Sequence, residues 1–221
     1  MPPPGPVQRK NLRRSLTITL AFMAVKSLLA SEKSKAAAER LLGPRLRNGL
    51  YRPVYILYSS VGGVWILLLA YRRPHRVLYQ ARPPLSWLMR VGQLASIALT
   101  LETTSFLGAG FFGIPQLRAL LKGRQPEAEP EAQGPPPEDG GELSQRSFFG
   151  FTRHPNNWFP TVFFLLEPRM TDKRAMYTML MTIHVLLGSV HEESRLRGRY
   201  GAAYDRYKET APFLGSLSRK R

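Results

Sequence analysis

Eighteen consecutive residues from Val54 to Tyr71 carry no charge. Wound as an α-helix at ~1.5 Å per residue, that run is about 27 Å long, close to the ~30 Å of hydrocarbon in a bilayer. Tyr55 and Tyr58 stand near one end and Tyr71 at the other, where aromatic side chains anchor at the membrane interface. Arg72, Arg73, Arg76 and Arg82 follow as a stop. The rest of the 221 residues repeats the pattern, with apolar stretches alternating with basic or Pro-rich ones. The run therefore reads as a membrane span.

Four further apolar blocks accompany it. Ser15 to Ser31 is broken only by Lys26, and Trp87 to Leu117 only by Arg90 and Glu102. Asn156 to Leu166 is short, and Ala175 to Val190 is uncharged up to His191-Glu192-Glu193. The first block has the basic approach of a signal-peptide core, with Ala30 near its end. A span or interfacial helix fits better, because nothing downstream looks like a disulfide-stapled secreted domain. The expected fold class is all-α: an integral membrane helical bundle of four to five transmembrane helices plus a C-terminal amphipathic interfacial helix. The chain divides into a disordered basic N-terminus (1–14), N-terminal membrane helices (15–121), a disordered linker (122–146), a C-terminal hairpin with its interfacial helix (147–214) and a basic tail (215–221).

Charge bears on partners. There are 32 Lys and Arg against 15 Asp and Glu, a net charge of +17. Nucleic acid, anionic lipid and an acidic ligand all attract such a chain. Here the cations bracket apolar segments instead of covering one face of a soluble fold. That places them against lipid headgroups and argues against nucleic acid as a partner. With five spans, segments 31–53, 118–153 and 191–221 share one side and hold more Lys and Arg than the other, so the C-terminus is expected in the cytoplasm. The absence of cysteine excludes a disulfide framework, a thiolate zinc site and a cysteine nucleophile.

Several motifs carry less than they spell. Gly108-Ala109-Gly110-Phe111-Phe112-Gly113 matches G-x-G-x-x-G, yet it closes an apolar helix and runs into Pro115. A dinucleotide loop needs a strand before it, so a bend or a close helix contact is expected. His184 and His191 share a helix face seven residues apart, without the i, i+4 pair and third ligand of a zinc helix. No metal site is expected. Glu102 lies inside an apolar block, where a carboxylate is either functional or reaches the interface and pairs with an arginine.

Two clusters remain. Arg153-His154-Pro155-Asn156-Asn157-Trp158 opens one apolar segment, and Glu192-Glu193 closes the next. An apolar hairpin with both ends on one membrane side brings them together as a polar pocket. Beyond them Leu196, Tyr200, Tyr204 and Tyr207 share a helix face, with Arg195, Arg197, Arg199 and Arg206 off that stripe. Such a helix either lies in the membrane interface or closes over the pocket.

The run Glu192-Glu193-x-x-Leu196-x-x-x-Tyr200-Gly201-x-x-Tyr204-x-x-Tyr207, ending at Pro212 and preceded by Arg153-His154-Pro155, resembles the C-terminal signature of the isoprenylcysteine carboxyl methyltransferase superfamily. Ser105-Phe106-Leu107, Phe112-Gly113-Ile114, Pro168-x-Met170-Thr171 and Gly188 lean toward its methanethiol S-methyltransferases and NnrU-type membrane proteins. The chain departs at Asn157, where the family's R-H-P-x-Y has tyrosine, and at Lys26, where related sequences favour histidine. The resemblance implies S-adenosylmethionine as cofactor, lined by Arg153, His154, Asn157, Glu192 and Glu193. It implies His154 or Glu102 as the group assisting deprotonation of the acceptor, and Phe148, Phe149, Phe151 or Trp158 as a wall for the adenine. The acceptor it implies is small and apolar or lipid-like, a thiol, carboxylate or amine entering from the bilayer. Two alternatives stay open. One is a non-catalytic protein of NnrU type. The other is a nicotinamide-dependent membrane reductase, whose pyrophosphate the Glu-Glu pair would oppose.

Overall fold

The computed structural model describes residues 5–71, 76–128 and 134–215. Residues 1–4, Arg72 and Arg73 of the expected stop, 129–133 of the expected linker and 216–221 of the basic tail lie outside them. The order of elements is α1 (Pro6–Ala30), α2 (Glu32–Tyr71), β1 (Val77–Gln80), α3 (Leu85–Leu107), a 3₁₀ turn (Gly108–Phe112), α4 (Ile114–Leu121), α5 (Pro155–Leu165), β2 (Arg169–Thr171), α6 (Asp172–Tyr200) and α7 (Ala202–Thr210). The protein is mostly helical, as the apolar runs require. Two helical stretches, Glu32–Leu69 and Leu85–Leu121, are long and apolar enough to cross a membrane.

The burial pattern is inverted relative to a water-soluble bundle. The residues of α3 that are buried are Gln93, Ser96 and Thr103, while Leu88, Val91, Leu94 and Leu101 are exposed. On α2, Val54, Leu57, Val61, Val64 and Leu68 form an exposed stripe at spacings of three and four. Ile183, Leu187 and Val190 do the same on α6, whose Ser189 is buried. Small and polar residues inside, with aliphatic residues outside, is the arrangement lipid selects, because hydrocarbon solvates leucine and leaves small residues to bring backbones together. Exposed apolar surface on this scale is otherwise rare.

The polar interior is hydrogen-bonded. Gln93 Nε2 donates to the Phe163 carbonyl of α5 at 3.0 Å. The hydroxyls of Thr19, Ser96 and Thr103 return to carbonyls one turn back in their own helices at 2.8, 2.8 and 2.9 Å. Between α1 and α2 the contact is aromatic, with Phe22 and Tyr58 ring centres 5.3 Å apart. A Cβ added at Gly62 would run into the Phe22 ring, whereas one at Gly63 would meet nothing. Gly62→Leu is expected to push α1 off α2 and lower the melting temperature in detergent, at a cost of about 1–3 kcal/mol. Gly63→Ala is the control and should melt with the parent. Equal melting of all three would mean that α1 does not pack there.

Three differences from the sequence expectation have physical reasons, and one expectation is met. A two-stranded antiparallel sheet joins β1 to β2, so the fold is not purely helical. Val77 and Tyr79 suit a strand, and Tyr79 Oη donates to the Glu167 carbonyl at 2.8 Å. This clamps the turn between α5 and α6. The Gly108–Gly113 stretch is the bend expected, with φ of 66° at Gly108 and 71° at Gly113; a Cβ at Gly113 would clash with Arg52 and Pro53. The expected linker is partly packed: Leu143 and Ser144 are buried, as are Pro126 and Pro135, and Pro137 pairs with Leu143. Finally, the C-terminal helix is two helices broken at Gly201 (φ 52°). Its stripe faces protein, because Leu196, Tyr204 and Tyr207 form a core with Leu143, Phe149 and Ala211. The proline-rich segment supplies the cover that an interfacial helix would otherwise take from lipid.

Candidate functional site

Helix α5 starts where Pro155 supplies a pre-set φ at its first position, a place that needs no N–H. The preceding residues, Thr152, Arg153 and His154, are thereby held at the helix mouth. Helix α6 starts at Thr171, whose hydroxyl accepts from Arg174 N at 3.2 Å, and returns along α5. Ser189, Glu192, Glu193 and Leu196 recur at helical spacing on one face of α6. Asn157, one turn into α5, donates to Ser189 Oγ at 3.0 Å, and the two clusters of the sequence meet one turn away.

Their geometry is tight. His154 is 4% exposed, with Nδ1 3.4 Å from Glu192 Oε2 and Nε2 3.2 Å from Glu193 Oε1. Arg153 Nε donates to the same Glu193 oxygen at 2.7 Å, and Lys208 Nζ of α7 lies 3.5 Å from its Oε2. Arg153 does more than pair. Its Nη1 donates to the Ala211 carbonyl at 2.7 Å and its backbone N–H to the Pro212 carbonyl at 2.9 Å. Thr152 Oγ1 donates to the Phe213 carbonyl at 2.9 Å. The Phe213 ring then stands edge-on to His154, centres 5.0 Å apart.

One atom of this cluster is left over. Glu192 is 3% exposed, yet its Oε1 has no hydrogen-bond partner. A buried carboxylate oxygen without a donor costs about 1–3 kcal/mol or more.

Burial works to raise the Glu193 carboxyl, but the hydrogen bond and charge of Arg153, with those of His154, outweigh it and hold Glu193 below the ordinary carboxylate range. The stability this contributes is fully present above the unfolded value of about 4.3 and is lost as pH falls through the lowered folded value. The difference in melting temperature between the parent and Glu193→Gln should therefore stay flat from neutrality to about pH 5 and shrink below about pH 4. A difference unchanged down to pH 3 would mean that the Arg153–Glu193 pair does not stabilise the fold.

Glu102 stands apart from this cluster. It is exposed on α3 and accepts from Ser147 Oγ at 2.6 Å. Of the aromatic residues expected as a wall, Phe149 is fully buried in the C-terminal core. Phe148, Phe151 and Trp158 instead line a largely apolar cavity of about 720 Å³ between α3 and α5. Trp158 also borders a groove of about 90 Å³ that holds His154, Asn157, Ser189 and Phe213. Asn157 in turn borders a third cavity of about 380 Å³, whose lining includes Glu192, Lys26, Tyr55 and His184. The first and second of these spaces share Trp158 in their walls, and the second and third share Asn157 and Val185.

Sequence reasoning missed Thr152, Ser189, Lys208 and Phe213 as parts of the site. Only Ser189 carried a usable signal, since it lies three residues before Glu192 on the same helix face.

The chain is 24% identical over 214 residues to Methanethiol S-methyltransferase 2 of Bradyrhizobium diazoefficiens, an alignment spanning 92% of this chain and 74% of that protein. No family model matches, and no solved structure matches.

Proposed function

We propose that this protein is a multi-pass membrane methyltransferase that uses S-adenosylmethionine, its C-terminus in the cytoplasm and its site at the mouth of the α5–α6 hairpin. The observation that carries the reading is the unpartnered, buried Oε1 of Glu192 beside the His154–Glu193–Arg153 cluster. The relatedness to a protein named as a methyltransferase supports it. S-adenosylmethionine supplies a methyl group on a positively charged sulfur.

The donor set suits that molecule, which carries a sulfonium, an ammonium, hydroxyls and an adenine. Glu192 would face positive charge or a hydroxyl. Glu193 is held in place by Arg153 and Lys208, and the neighbouring groove is closed by Phe213. Phe148, Phe151 and Trp158 offer the apolar wall. Arg153 acts as a positioning residue, because its Nε and Nη1 already hold Glu193 and the Ala211 carbonyl. Methyl transfer needs the acceptor atom in line with the departing sulfur at about 3–3.5 Å. The polypeptide's part is to fix that line and to keep water out. A small apolar or lipid-like acceptor carrying a thiol, carboxylate or amine would enter from the bilayer.

Calorimetry of S-adenosylmethionine, or of S-adenosylhomocysteine, with detergent-purified protein tests the reading. Saturable binding is expected. A folded sample that binds neither at millimolar ligand would point to a non-catalytic membrane protein of the same architecture.

A further inference from the structure

Lys26 is the one charged residue between Ser15 and Ser31, four residues before the end of α1. A lysine near the end of an apolar segment either reaches the interface or takes a partner. It is half-buried, and it makes no hydrogen bond or ion pair with the described residues. Its side chain instead lines the 380 Å³ cavity between α1, α2 and α6, together with Tyr55, Asn157, His184, His191, Glu192 and Arg195, whose guanidinium also reaches the Ala30 carbonyl at 3.4 Å. Glu192, the carboxylate of this cavity, lies beyond ion-pair range of Lys26 and turns Oε2 toward His154. The cavity thus has a basic end on α1 and α6 and joins the proposed donor site at Asn157 and Glu192.

We infer that this cavity is the acceptor subsite and that it takes an anion, a thiolate or a carboxylate, held by the ammonium of Lys26; an amine acceptor is disfavoured. The inference rests on the methyltransferase reading and narrows its acceptor. The chemistry agrees. A lone pair on the anionic sulfur or oxygen forms the bond to the methyl carbon while the carbon–sulfur bond of the sulfonium breaks, its electron pair staying on the donor sulfur. One positive and one negative charge disappear together and no proton moves. The acceptor needs no general base, consistent with Glu102 lying outside the cluster. The methylated product has no charge for Lys26 to hold, which favours its release.

The test measures binding by calorimetry of benzenethiolate, benzoate and benzylamine at mildly alkaline pH, with and without saturating S-adenosylhomocysteine. The proteins are the parent, Lys26→Met and Lys26→Arg. Methionine preserves length and apolar packing, so the first variant should fold, and arginine restores the charge. The parent is expected to bind benzenethiolate or benzoate and not benzylamine. Lys26→Met should weaken anion binding by about tenfold or more with S-adenosylhomocysteine affinity unchanged, and Lys26→Arg should recover most of the loss. Preference between the two anions identifies the acceptor chemistry. Anion affinity unaltered in Lys26→Met, or benzylamine bound as well as the anions, would overturn the inference. A parent that binds the anions but not S-adenosylhomocysteine would sink the methyl-donor reading while leaving the anion site standing.

Discussion

Replacing Glu192 and Glu193 together by glutamine is expected to remove measurable S-adenosylmethionine binding from a protein that stays folded. Glu192 Oε1 is the unpartnered acceptor of the site, and Glu193 Oε1 gathers Arg153 Nε and His154 Nε2 at 2.7 and 3.2 Å. Contacts of a ligand with charged groups are worth about 1.5–3 kcal/mol each. Losing two of them weakens binding by about a hundredfold to ten-thousandfold. The fold should tolerate the exchange because glutamine keeps the shape and an acceptor oxygen. Arg153 also retains the Ala211 carbonyl. A cost of about 1–2 kcal/mol is expected, below that of a fully buried pair because Glu193 keeps some contact with water. Calorimetry reads the binding and a circular-dichroism melt the fold. Undiminished binding by a folded double variant would remove the carboxylates from the site.

The largest effect on stability is expected at Leu196. It is 1% exposed, in the core of Leu143, Phe149, Tyr204, Tyr207 and Ala211, and the backbone of Gly134 approaches it closely. Leu196→Ala should cost about 2–5 kcal/mol by leaving a cavity that the surrounding rings cannot fill. The loss should be felt in the site too, because the Ala211 carbonyl that receives Arg153 belongs to the same core. Val190→Ala, six residues earlier on α6 and 61% exposed, should leave both the melt and ligand binding near the parent's. If the two variants behave alike, the C-terminal core does not hold the site together.

The meeting of Arg153-His154 with Glu192-Glu193 is legible in the sequence because it follows from chain geometry: one cluster opens an apolar segment, and the other closes the next. The exposed aliphatic stripes were legible as well, since lipid-facing leucine and valine repeat at helical spacing. What holds Arg153 was not. Its partners at Ala211 and Pro212 are backbone carbonyls, which every residue possesses and no motif marks. The destination of the Tyr204–Tyr207 stripe was hidden for a related reason. An amphipathic helix reads the same whether its apolar face meets lipid or protein, and here the cover comes from the segment around Leu143, whose proline-rich flanks look solvated. The sheet of Val77–Gln80 with Arg169–Thr171 was missed because strands of four and three residues leave almost no periodicity. Glu102 drew attention as a charge in an apolar block, but its hydrogen bond to Ser147 depends on a loop conformation with φ of 56° at that serine.

The stitching of Thr152 and Arg153 to the carbonyls of Ala211, Pro212 and Phe213 also bears on biosynthesis. The motif at 152–154 leaves the ribosome well before residues 211–213 that fasten it, so the pocket is assembled only once these have followed. A chain cut short before residue 211 would lack the closing edge on His154. A tag fused directly after Phe213 would press on the same edge. Residues 211–213 are thus the last wall of the site to be built.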